Sequence, residues 1–163
     1  MQSIVTYYDA NSAKGFLSNL SSFIWNCSND FDSITVFAFD EIYTEDLINS
    51  LSQLFQIVTI IKTDTVVNTK DSIQYELHDA LLNSLAGLSG QLSYVYVDPF
   101  LYFVNEFKIP TDRNTFYIER DSFLSLKMMS IHDSSNFTQI HNVLKLNRNL
   151  RSERRIRRSE ERR

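Results

Sequence analysis

Four runs of β-branched and aromatic residues, each followed closely by an aspartate, constrain this chain more than any other feature. They are Ile4–Tyr8 before Asp9, Ile34–Phe39 before Asp40, Ile57–Ile61 shortly before Asp64, and Gln91–Val97 before Asp98. Short, dense apolar runs of this kind read as strands covered on both faces. Between them the apolar period changes to that of a helix: Phe16, Leu20, Phe23 and Ile24, then Leu47, Ile48, Leu51, Leu54 and Phe55, then Ile73, Leu77, Ala80, Leu81, Leu85 and Leu88. Strand and helix alternating in this way require a mostly parallel sheet with right-handed crossovers. The predicted fold is therefore α/β, a Rossmann-like three-layer αβα arrangement around an open sheet of about five strands.

Local signals support the divisions. Asp9-Ala-Asn-Ser12 supplies turn and N-cap residues for a helix ending near Asn26, and Thr44 with Glu45 and Asp46 opens the second helix with acids at its positive end. The third helix runs from about Asp71 to Leu88, with Gly90 as its stop. Pro99 has no backbone donor, so the fourth strand ends at Asp98. Beyond it, Asn105 to Asn114 reads as loop and Thr115–Glu119 as a fifth, edge strand. Ser122 to Ile131 fits a short helix or irregular chain. Residues 1–135 thus form the α/β domain, and 136–163 a C-terminal helix running into an arginine-rich tail.

The 163 residues, 43% hydrophobic and 13% aromatic, suffice for one globular core. One cysteine, Cys27, excludes an internal disulfide and fits a reducing, cytoplasmic setting. No window carries about eighteen uninterrupted apolar residues, so no membrane span is expected. Asn19-Leu-Ser, Asn26-Cys-Ser and Asn136-Phe-Thr match the glycosylation sequon, and without a signal peptide they read as accidental. His78, His132 and His141 lack zinc-site spacing. No nucleophile elbow, phosphate-cradling glycine loop or paired-cysteine motif occurs, and the chain has only three glycines to build one.

Asp98 is the leading candidate for chemistry, because ligands of open α/β sheets bind beyond the carboxyl ends of the strands. Asp9 and Asp40 would share that rim. On the plain structural reading all three are turn residues or caps, and the tyrosines of the strands are core.

Three stretches carry a resemblance to the nucleotide-sugar-binding half of GT-A-type glycosyltransferases, over roughly residues 3–107. Val5-Thr-Tyr-Tyr-Asp-Ala-Asn11 with Gly15-Phe-Leu-Ser-Asn-Leu20 looks like the first strand and helix of that family. Ile34-Thr-Val-Phe-Ala-Phe-Asp40 followed by Tyr43 looks like the second strand, and Tyr94-Val-Tyr-Val-Asp-Pro-Phe-Leu-Tyr-Phe103 like the strand bearing the Asp-x-Asp motif. The resemblance implies a nucleotide-sugar donor near Thr6, Tyr8, Asp9, Asn11 and Asp98, with Mn2+ or Mg2+ between Asp98 and the diphosphate. Two departures stand out. Phe100 occupies the place of the second acid, so a hard cation loses an oxygen ligand. About sixty residues follow the motif, too few for a full acceptor pocket. The expectation is a glycosyltransferase-like domain with impaired catalysis and no identifiable catalytic base.

The tail supports a different, non-enzymatic reading. Residues 145–163 hold nine basic and three acidic residues, a net of +6, leaving seven basic and seventeen acidic in 1–144, a net of −10. Arg148, Arg151, Arg154, Arg155, Arg157, Arg158, Arg162 and Arg163 have the density of a segment that binds nucleic acid or an acidic partner. Glu153 before Arg157 and Arg158 before Glu161 also fit a solvated helix with internal pairs.

Overall fold

The computed structural model describes residues 2–39, 45–63, 93–118 and 126–132. Its elements are strand β1 (Gln2–Tyr8), a 3-10 turn (Ala13–Gly15), helix α1 (Phe16–Asn26), β2 (Phe31–Phe39), α2 (Glu45–Leu54), β3 (Ile57–Thr63), β4 (Tyr94–Val97), β5 (Thr115–Ile118) and β6 (Leu126–Ile131). The helix expected over 71–88, Asp40, Asp64, Gly90, the C-terminal helix and the arginine-rich tail lie outside the described residues. No described helix is long and apolar enough to cross a membrane.

The six described strands form one sheet in the order β3-β2-β1-β4-β6-β5. β3, β2, β1 and β4 are parallel, with Ile4 beside Ile34 and Val95. β6 runs antiparallel to β4 and to β5. The fold is α/β with a mostly parallel sheet, and β5 is its edge strand as the sequence predicts. The sixth strand corrects the reading of 122–131 as helix or irregular chain. Leu126-Lys-Met-Met-Ser-Ile131 has one β-branched residue and no clean alternation, so its propensity is weak. Pairing decides it: Met129 lies beside Tyr96 and Met128 beside Val97, and Met128, Met129 and Ile131 are all buried.

Strand alternation sends successive side chains to opposite faces. One face gathers Ile4, Tyr8, Ile34, Val36, Val95 and Val97 with Phe16, Leu20 and Phe23 of α1 and Leu47 and Leu51 of α2. Both described helices therefore pack on the same side, as two crossovers of one hand stepping from β1 to β2 to β3 require. Each large apolar side chain sealed here contributes roughly 1.5–3 kcal/mol. Leu54 corrects the predicted stripe of α2, being exposed at the helix end, whereas Phe55 just beyond is buried. The other face presents Val5, Tyr7, Phe37, Phe39, Tyr94, Tyr96 and Met129, and all of these are buried too. Burial on both faces is the reason the strands read as continuous apolar runs.

After β4 the chain runs as an irregular strap along α1. Asn19 Nδ2 donates to Pro99 O at 2.7 Å, Phe103 N to Ser22 Oγ at 2.9 Å, Asn26 Nδ2 to Phe103 O at 2.9 Å, and Phe107 N to Asn26 O at 2.9 Å. Past the helix, Asn29 grips the Ile109 backbone by both ends of its amide, at 2.9 and 3.0 Å. Asn19, Ser22 and Asn26 recur at helical spacing and give α1 a polar stripe beside its apolar one. Two of the three sequon asparagines are thus committed to holding the strap. Its apolar side fixes the same register: Phe23 centres an aromatic cluster with Phe31, Phe103 and Phe107, its ring 5.3 to 5.7 Å from theirs. Alternate strap residues Phe100, Tyr102 and Val104 point outward, so Tyr102 is an exception to the expectation that the tyrosines are core.

Candidate functional site at the strand carboxyl ends

In the order β3-β2-β1-β4 the chain steps one way from β1 to β2 and β3, then returns to the other side of β1 for β4. Such a reversal opens a crevice beyond the carboxyl ends of the two central strands, the usual ligand position of an open α/β sheet. Asp9 follows β1 there and Asp98 follows β4. Thr6 Oγ1 donates to Val97 O at 2.7 Å and joins the two strand ends below them. The sequence thus brings Thr6, Asp9 and Asp98 to one place.

Both carboxylates are nonetheless engaged in turns. Asp9 Oδ1 accepts from Ser12 N at 2.8 Å while Asp9 N donates to Ser12 Oγ at 2.9 Å, a reciprocal pair that folds the chain into the 3-10 turn. Asp98 Oδ1 accepts from Phe100 N at 2.8 Å, and Asp98 N continues the ladder to Lys127 O at 2.8 Å. Asp9 is 6% exposed and Asp98 2%. The hollow beside Asp98 has a volume of about 10 Å³, between Thr6, Phe16, Asn19, Leu20, Val97 and Pro99. That space holds about one water molecule.

Two phenols share the electrostatics of the rim. Burial raises Tyr7 above the ordinary phenol range, and the charges of Asp98 and Asp9 raise it further. Burial does the same to Tyr96, with Asp98, Tyr7 and Asp9 adding. Both stay protonated at neutral pH and can act as hydrogen-bond donors, not as bases. Tyr7 Oη is buried and has no hydrogen-bond partner among the described residues. Sequence reasoning placed these tyrosines in the core without seeing that their hydroxyls lie near two carboxylates. The tyrosine two places before each strand-end acid was the available signal.

The remaining predicted positions divide. Asn11 is exposed on the turn, with Lys14 exposed one turn later. Tyr8, which the resemblance places near the donor, is 7% exposed and meets Phe16 edge-on, ring centres 5.1 Å apart at 88°. Glu106 sits beside Phe107 at the far end of α1, away from Asp98. Among the described residues no group of three His, Cys, Asp or Glu could hold a metal ion. Mn2+ or Mg2+ needs about six oxygen ligands, several of them water or phosphate. The water-sized hollow at Asp98 does not fit that demand.

No protein-family model and no curated protein matches the chain. Among solved structures, the glycosyltransferase GlyE of Streptococcus pneumoniae TIGR4 aligns with a TM-score of 0.46 at 10% identity, over 94% of this chain and 36% of that one. The chain spans about a third of the length of that protein. The fold class rests on the strand order described above.

Proposed function

We propose that this chain is a glycosyltransferase-like nucleotide-sugar-binding domain with an impaired metal site, and that its donor rests on the exposed part of the Asp9–Gly15 turn. The supporting observation is the reversal of strand order between β1 and β4, with Asp9 and Asp98 ending the two strands. Asn11 and Lys14 are the exposed polar groups of that turn. An amide can read a ribose or base, and an ammonium can offset diphosphate charge. Asp98 shapes the strap through Phe100 N and does not grasp a cation. Thermal unfolding with UDP-sugars, with and without Mn2+, tests the proposal. A donor at a hundred times its dissociation constant adds about 2.7 kcal/mol and raises the midpoint without needing the metal. No shift with any nucleotide-sugar would overturn it.

The near-sealed Asp98 favours one further reading, a non-enzymatic interaction protein that uses the α/β body as a scaffold and Arg148–Arg163 to bind nucleic acid or an acidic partner. Removing 145–163 should then abolish salt-sensitive retention on RNA or DNA. Unchanged retention would end that reading.

A further inference from the structure

The opposite rim of the same sheet carries a larger feature. A cavity of about 550 Å³ lies between Gln2, Asn29, Asp30, Ser93, Thr111 and His132. Gln2 opens β1, Asp30 immediately precedes β2, Ser93 precedes β4, and His132 follows the antiparallel β6, so the cavity sits at the amino ends of the parallel strands. Its volume falls within the ordinary range for small-molecule sites.

The walls are held in place by bonds between elements. Asn29 is locked to the Ile109 backbone, and His132 N donates to Asn114 Oδ1 at 2.7 Å. Ser93 Oγ donates to Ile131 O at 3.1 Å and accepts from Gln2 Nε2 at 2.9 Å. Because that serine proton is committed to a carbonyl, the glutamine must present its nitrogen to Ser93. A flip of the amide would set two acceptors against each other. Gln2 Oε1 is then left buried without a donor among the described residues.

We infer that this cavity binds a neutral polyhydroxylated ligand, a saccharide in chemical class, independently of the carboxyl-end reading. The described wall contains no lysine or arginine, which an anion would need as partners. It offers a single carboxylate and one imidazole, so it is a poor cage for a polycation. Its other groups are amides and hydroxyls, which both donate and accept. A wall of that kind matches a ligand whose every polar group also does both.

The test is a titration of the isotopically labelled full chain with maltose and lactose, in parallel with spermidine and inorganic phosphate, followed by amide NMR. Saturable shifts with a disaccharide, confined to the backbone around Asn29, Asp30, Ser93, Thr111 and His132, are expected. Asp30→Ala and Thr111→Val lie at exposed positions and should retain the spectrum of the fold while each weakens binding roughly fivefold, the effect of losing one hydrogen bond. The inference is overturned by no saturable shift with either disaccharide at tens of millimolar. It is equally overturned by binding of spermidine or phosphate alone, or by disaccharide binding that neither substitution weakens.

Discussion

The two rims of this sheet use similar residues in opposite ways. At the carboxyl ends Asp9 and Asp98 each bond to an amide two or three residues ahead, and the hollow beside Asp98 is water-sized. At the amino ends Gln2, Asn29 and Ser93 bond across the sheet to distant elements and leave about 550 Å³ between them. The first side chains close local turns and fill their own corner, whereas the second tie separate elements together around an open space. A strand-end carboxylate is therefore no site by itself, and its bonding partners decide its role.

The strap from Pro99 to Ile109 ties the rims together along α1, and the hardest way to break the contrast is to cut it at its midpoint. Phe23→Ala should cost about 3–5 kcal/mol in urea unfolding, because the ring is fully buried among three other phenyl groups. Amide exchange at Phe103 and Ile109 should then accelerate together. Loss at only one of them would show that the strap is two independent pieces.

Asp98 separates a turn-forming role from an ionic one. Asp98→Ala should cost about 1–3 kcal/mol by leaving the Phe100 amide without its acceptor. Asp98→Asn keeps an acceptor oxygen and should cost much less. Equal losses would mean that the charge itself matters, and would restore an ionic role to the carboxyl rim.

Tyr7→Phe should leave stability unchanged or raise it by about 1 kcal/mol, since the hydroxyl is buried with no partner among the described residues. A loss larger than that in the same unfolding assay would reveal a bond the rim depends on. The same burial predicts alkaline sensitivity. Tyr7, Tyr94 and Tyr96 have their folded pKa values raised above the usual phenol value, so only the unfolded chain releases these protons as pH passes about 10. The stability associated with them is complete below that pH and declines above it. Phenolate absorbance should rise together with loss of the fold, and an early, non-cooperative rise from these residues would contradict their burial. The smallest effect belongs to the amino rim, where Asp30→Asn should change stability by no more than about 0.5 kcal/mol because the side chain is exposed.

Much of the architecture was legible because it repeats a local rule. Runs such as Ile34–Phe39 could be read as strands buried on both faces, and Phe16, Leu20 and Phe23 as a helix stripe, since each pattern reports what its own segment must hide. β6 was not legible: methionine favours no pleat, and its strand exists because Tyr96 and Val97 offer it a ladder. The polar stripe Asn19, Ser22 and Asn26 was visible, but its meaning depended on a strap eighty residues away. The site was half legible. Strand order brought Thr6, Asp9 and Asp98 together as expected, while Tyr8 turned into the core and the open cavity formed at the other rim.

The sequence by itself determined the class of fold, through the period of its apolar residues, and the acidic ends of its central strands. Tertiary structure alone decided which of those ends stay open, because a hydrogen bond from Phe100 or Ser12 to a carboxylate depends on the path of the chain after the strand. It also decided that Gln2, Ser93 and His132 share a cavity wall, since residues so far apart in the chain meet only when β1, β4 and β6 are laid side by side.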